Sequence, residues 1–170
     1  GHRDLPLTEL GRKQARDQGE NIVAKGLVFD AVFASPLDRA LETAKIISEV
    51  IGAPEPLVHD DLIERDFGIM TGKRAADIEK LCAPDIIKTD PVVYFLSPEG
   101  AETFPDLIAR ARRLIEDINK LAASKTVLLV THGDIGKMIY ACATNTSWEQ
   151  VLTDFHFGNA DILGPLEIGG

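Results

Sequence analysis

"KTVLLVTHGDIGK", residues 125–137, decides the fold. Its five apolar or β-branched residues, Val127 to Thr131, form the run expected of a strand buried on both faces, and such strands belong to parallel sheets covered by helices. The run ends in His132-Gly133 and passes into a helix from about Asp134 to Ala143, so the stretch reads strand, turn, helix. His132 therefore stands at the carboxyl end of a buried strand, where open α/β sheets hold their ligands. A polar residue can also simply end a strand, and the histidine gains weight only from the segments that accompany it.

Working outward, "DAVFAS" is a short strand, and "SPLDRALETAKIISEVIG" is the clearest helix, with Ser35 as cap, Pro36 in the first turn and Gly52 as stop. Leu37, Ala40, Leu41, Ala44, Ile47 and Ile51 recur along it at helical spacing. "TELGRKQARDQGENIVAK" predicts a helix from a Thr8 cap to Gly26, with Leu10, Ala15, Ile22 and Val23 inward and Gly11 and Gly19 weakening it. A long amphipathic helix is expected from Thr103 to Ala123. Leu57 to His59 reads as a short strand and "RAADIEKLC" as helical. Residues 84–100, interrupted by Pro84, Pro91 and Pro98, read as an irregular excursion within a variable lid over 73–100. A further strand is expected near Ala160 to Leu163, before a glycine-rich end. The alternation predicts one domain over residues 1–170, a three-layer α/β/α sandwich with a mainly parallel sheet.

Composition narrows the function. Eighteen basic against 27 acidic residues give a net charge of −9, which disfavours nucleic acid and anionic membrane, so any anion needs a local basic pocket. No apolar run approaches the roughly 20 residues that cross a bilayer. Cys82 and Cys142 suggest neither a disulfide framework nor a thiolate zinc site, which fits a reducing cytoplasm. His59 reads as a solvated loop residue and His156 as a packed one between two phenylalanines, and no short ligand spacing implies a metal.

Two segments join His132. Arg39 in "SPLDRALETA" lies in the first turns of a helix that also starts at a strand end, where backbone N–H groups and a guanidinium fork suit phosphate. Glu64 in "DLIERDFGIMTG" is a loop carboxyl that, beside a phosphate dianion, could give a proton to a leaving oxygen. "GIMTGKR" is no nucleotide loop: three residues separate Gly68 from Gly72, and Arg74 stands where a Ser or Thr is needed.

These stretches, "GHRDLPLTELGRKQA", "ASPLDRALETAKII", "LIERDFGIMTG", "PEGAETFPDLIARARR" and "VLLVTHGDIGKMI", resemble the histidine phosphatase superfamily, or phosphoglycerate-mutase-like family, in the family's order over about residues 1–140. The resemblance implies metal-free and cofactor-free phosphoryl transfer through a phosphohistidine. It casts His132 as the histidine that holds the transferring group, Arg39 as a phosphate arginine and Glu64 as the general acid/base. Gly133, Arg65 and Gly1 are binding candidates, with Ser35 and Glu102 in support. It also implies that the nucleophilic histidine, normally in an arginine-histidine-glycine motif ending the first central strand, precedes Gly1. On that reading the strand is absent and the domain N-terminally incomplete. Gly1-His2-Arg3 abuts "DLPLTE" with no strand before it, and His2 is rejected as nucleophile.

The expected activity is hydrolysis of small phosphomonoesters, because "IIKTDPVVYFLSPEG" is short and lacks the paired arginines of the mutases. The alternatives are a cofactor-dependent phosphoglycerate mutase and a non-catalytic relative that binds phosphorylated ligands or a protein. Phe67 and Asp134 depart from the tyrosine and asparagine frequent in mutases, and Arg65, Lys73, Arg74 and Lys88 are candidates to reach a substrate tail. No oligomeric state is legible.

Overall fold

A computed structural model describes residues 1–156, 164 and 166; the strand expected near Ala160 to Leu163 lies outside the described residues. Three parallel strands, β1 (Ala31–Ala34), β2 (Leu57–Val58) and β5 (Val127–Val130), form a sheet in the order β2-β1-β5, with Phe33 opposite both Leu57 and Leu129. Side-chain alternation sends Val32, Ala34, Leu128 and Val130 toward α1 (Glu9–Ala24) and α2 (Asp38–Ile51). It sends Ala31, Phe33, Val127 and Leu129 toward α4 (Phe104–Leu121) and α5 (Gly133–Thr144). The predicted three layers are thus present. Among the described residues β5 pairs with β1 alone, and all four of its residues are half-buried.

Thr8 caps α1 by accepting the Gly11 N–H, as expected. The inward stripe differs from the sequence reading: Ala15, Gly19 and Ile22 are buried, whereas Leu10 and Val23 are exposed. A Cβ on Gly19 would stand 2.8 Å from Val50, so this glycine is where α1 comes close to α2. Its missing side chain, a liability for helix propensity, allows the packing. The second helix also starts later than Ser35. Leu37 occupies its cap position without a side-chain bond, and the Asp4 carboxylate instead accepts the Asp38 N–H at 3.0 and 3.2 Å.

Residues 73–100 are more regular than their prolines suggest. They hold α3 (Ile78–Cys82) and an antiparallel hairpin of β3 (Ile86–Lys88) with β4 (Val93–Phe95). Pro84, Pro91 and Pro98 all fall outside the paired positions, so no ladder bond is lost to them. The hairpin is anchored by aromatic edges, Phe95 on Phe67 at 5.1 Å and Tyr94 on Phe104 at 6.2 Å between centroids. Helix α4 begins with a Thr103/Asp106 capping box and buries Phe104, Leu107, Arg110, Ala111, Leu114 and Ile118. A short helix that the sequence reading did not include, α6 (Trp148–Asp154), is capped by Ser147 and stacks Trp148 on Phe104 at 5.5 Å. Among the described residues no helix is long and apolar enough to cross a membrane, and both cysteines are free thiols.

Among the described residues the buried Tyr94 hydroxyl has no hydrogen-bond partner. Tyr94→Phe removes an unpaired polar atom and keeps the ring, so it is expected to leave stability unchanged or raise it by about 1 kcal/mol in chemical denaturation. A loss of similar size would show that the hydroxyl has a partner after all.

Candidate active site

The carboxyl ends of β1 and β5 bring Ser35 and His132 together. His132 is the cap residue of α5, and its Nε2 lies 2.7 Å from the Ser35 hydroxyl, which also accepts the Leu37 N–H at 3.2 Å. Ser35 is fully buried and so orients the imidazole instead of capping α2. Burial pushes His132 down to about 4, with the Glu64 carboxylate pulling the other way, so the imidazole is neutral near pH 7.

Glu64 reaches the same place from its loop. Its oxygens accept N–H groups from Arg65 at 2.7 Å, Asp134 at 3.2 Å and Ile135 at 3.2 Å, the last two being donors of the first turn of α5. A carboxylate is thereby held at the positive end of the helix that His132 caps. Thr131 strengthens the junction by donating to the Leu62 carbonyl at 2.6 Å. Between these groups lies Gly133: a Cβ there would sit 3.9 Å from both Glu64 Oε2 and Lys137 Nζ, leaving room beside its backbone.

Arg39 faces the N-terminal stretch. Its Nη1 and Nη2 donate to the carbonyls of Arg3 at 2.6 Å and Gly1 at 3.2 Å, leaving three of its five N–H groups outside these two bonds. Gly1 itself stands against Phe67, 2.8 Å from where its Cβ would be. His2 bonds the Glu64 carbonyl through Nε2 at 2.6 Å, which ties the same stretch to the carboxylate loop.

Arg65, expected to contact substrate, is turned inward with 1% exposure. Its Nε donates to the Glu102 carbonyl at 2.6 Å and its Nη2 to the Leu96 carbonyl at 2.8 Å, and the guanidinium lies between the Phe95 and Phe104 rings at 4.7 and 4.1 Å. Its donors are committed to the protein because flanking apolar rings stabilise a planar cation. Glu102 accepts Arg110 on both carboxylate oxygens, at 2.9 and 2.8 Å, and the Asp66 N–H at 3.3 Å.

Sequence reasoning missed Arg110. It donates to the carbonyls of Asp61, Ile63 and Glu64, clamping the loop that carries the carboxylate. The signal was available, since Arg110 falls three residues after Leu107 and four before Leu114, on the inward stripe of α4. Of the other candidate cations, Arg74 pairs with Asp77 and Lys88 with Glu79, while Lys73 is exposed. His59 is not solvated: its ring accepts the Asp61 N–H and sits 3.4 Å from Asp117 with 15% exposure, while His156 is exposed.

In this α/β protein a neutral imidazole and a carboxylate seated on helix-terminal donors meet at the carboxyl edge of a parallel sheet. The chain belongs to the histidine phosphatase superfamily (branch 1), whose family model matches residues 1–164. It is 34% identical over 138 residues to a 2,3-bisphosphoglycerate-dependent phosphoglycerate mutase of Methylobacterium sp., covering 79% of this chain and 66% of that one. A namesake from Parvibaculum lavamentivorans is 32% identical over 156 residues, covering 89% and 74%. This chain thus spans two thirds to three quarters of the length of these relatives. Mycobacterial glucosyl-3-phosphoglycerate phosphatase in complex with VO3 superposes with a TM-score of 0.74 at 25% identity, covering 92% and 77%. Phosphoserine phosphatase of Entamoeba histolytica, at 23% identity, TM-score 0.66 and coverage of 93% and 76%, shares the fold.

The depressed His132 sets a pH test. An unfolded imidazole takes a proton below about 6.5, whereas the folded one refuses it until about 4. The stabilising contribution is therefore complete above 6.5 and is lost as pH falls toward 4. Wild type relative to His132→Asn should lose about 2 kcal/mol between pH 7 and 4 in denaturant titrations, a figure discounted for partial exposure. Equal acid sensitivity of the two proteins would contradict the buried, neutral imidazole.

Proposed function

We propose that this protein hydrolyses small phosphomonoesters through a phosphohistidine. The observation that carries the reading is the meeting of His132 and Glu64 at the N-terminus of α5, with Gly133 between the carboxylate and Lys137. In this reading a histidine preceding Gly1 attacks phosphorus; the nitrogen–phosphorus bond forms as the ester oxygen–phosphorus bond breaks. The Arg39 guanidinium balances the charge that spreads over the phosphoryl oxygens, while the neutral His132 imidazole and the Gly133 N–H donate hydrogen bonds to them. Glu64 takes up the proton that a monoanionic phosphoester brings with it and gives that proton to the departing alkoxide. Water then attacks phosphorus and gives a proton to Glu64; its oxygen–phosphorus bond forms as the nitrogen–phosphorus bond breaks, freeing the histidine and inorganic phosphate.

Hydrolysis is favoured over isomerisation because three of the four cations considered for a substrate tail are committed within the protein, leaving the exposed Lys73. A bisphosphoglycerate brings a second phosphate and a carboxylate, yet Arg65 is spent internally and Arg74 and Lys88 pair with acids of their own segment. Mutase activity is the second reading, supported by the names of the relatives at 34% and 32% identity.

In the full-length protein, phosphate release from p-nitrophenyl phosphate and 3-phosphoglycerate is expected, with kcat falling about 100-fold or more in His132→Ala. Interconversion of 3- and 2-phosphoglycerate stimulated by 2,3-bisphosphoglycerate, with negligible phosphate release, would establish the mutase instead. Binding of phosphate without turnover of either kind would make the protein a binding module.

A further inference from the structure

Asp134 plays no part in the chemistry above, yet it is a second carboxyl placed beside Glu64 at the start of the same helix. Its backbone N–H holds Glu64, while its side chain, only 14% exposed, points an oxygen to 3.7 Å from Arg65 Nη1. Arg65 is the residue after Glu64, so whatever fixes its guanidinium also fixes the backbone from which Glu64 projects. The other two nitrogens of that guanidinium bond the carbonyls of Glu102 and Leu96. Asp134 therefore completes a joint among four segments: the Glu64 loop, the end of the β3–β4 hairpin, the entrance to α4, and the helix that His132 caps.

We propose that Asp134 is a positioning residue for the phosphoryl-transfer site, an ionised latch that locks the Glu64–Arg65 segment to the His132 helix and lets go when it takes a proton. This inference rests on the reading given under the proposed function. Electrostatics supports it from both partners. Burial pushes the Arg65 guanidinium down, and the Asp134 charge is the foremost influence opposing that shift. Burial, followed by the Glu64 charge, pushes Asp134 up to about 6, against the pull of Lys137 and Arg65. The charged groups around the latch are thus Glu64 and Arg65 on the loop, Glu102 at the entrance to α4 and Lys137 on α5. Lys137 is itself buried, with its ammonium 5.1 Å from the centre of the Tyr94 ring, so the hairpin also senses the balance of charge here.

The sign of the effect follows. A carboxyl raised above its usual value binds its proton more tightly in the folded protein, so folding favours the neutral form of Asp134. That contribution is complete below about 3.8 and is lost as pH rises through about 6. Ionising Asp134 therefore costs stability, and the latch trades some stability for geometry. Asp134→Asn keeps the shape and removes the charge at every pH, so it should be tolerated by the fold.

The test compares full-length wild type with Asp134→Asn from pH 5 to 8 on p-nitrophenyl phosphate. Above pH 7 the variant is expected to lose about 10-fold in kcat with KM within about 3-fold, as when a reacting group is held slightly out of place. At pH 5, where the wild-type carboxyl is itself protonated, the two enzymes should converge. A kcat ratio that stays constant from pH 5 to 8, or a change confined to KM, would overturn the proposal. A second readout needs no turnover: the Asp134 carboxyl carbon, followed by NMR, should titrate near 6 and move the Arg65 Nε–H signal with it. A midpoint near the ordinary value of about 4 with Arg65 unmoved would overturn the latch. If wild type releases no phosphate, the proposed function fails, and the NMR titration alone decides Asp134.

Discussion

The site depends on one contact, the seating of the Glu64 carboxylate on the N-terminal N–H groups of α5. It joins a loop of little regular structure to the helix that His132 caps, across some 70 residues of sequence. Without it the carboxyl and the imidazole belong to separate parts of the chain. A helix terminus leaves backbone donors unsatisfied, and a buried carboxylate needs donors, so each relieves the other.

Most of the interior around the site serves to hold that contact. Arg110 supports the loop from α4 by binding three of its carbonyls, and Glu102 supplies Arg110 with a two-pronged counter-ion. Arg65 does the corresponding work on the hairpin side, wedged between two aromatic rings. Buried arginines are expensive to desolvate, and removing a partner from such a group is far more damaging than exchanging a surface charge. Two of them around one loop indicate that the position of Glu64, more than bulk stability, is what these side chains secure.

The sequence made some of this legible. The apolar run Val127 to Val130 and the strand before Ser35 marked the sheet and the edge at which His132 and Ser35 meet. The long stripe on α4 and the Thr103 cap were equally plain. The failures have physical causes. Leu10 and Val23 looked inward by hydrophobicity, but α1 packs where Gly19 permits close approach, a property that residue type alone does not carry. Ser35 was expected both to cap a helix and to support the site; the cap failed because its hydroxyl is taken by the distant His132, which gives the supporting role its geometry. Arg65 looked like a substrate arm because arginine prefers water, and the aromatic slot that receives it is assembled from residues 30 to 40 positions away.

The account turns on whether an anion settles where these groups converge. A crystal of the full-length protein grown with orthovanadate, a tetrahedral phosphate mimic, answers this directly. The account predicts vanadate within hydrogen-bonding distance of the His132 imidazole and the Arg39 guanidinium, beside Gly133 and facing Glu64. Vanadate bound elsewhere, or a site whose Glu64 and His132 face separate hollows, would contradict it.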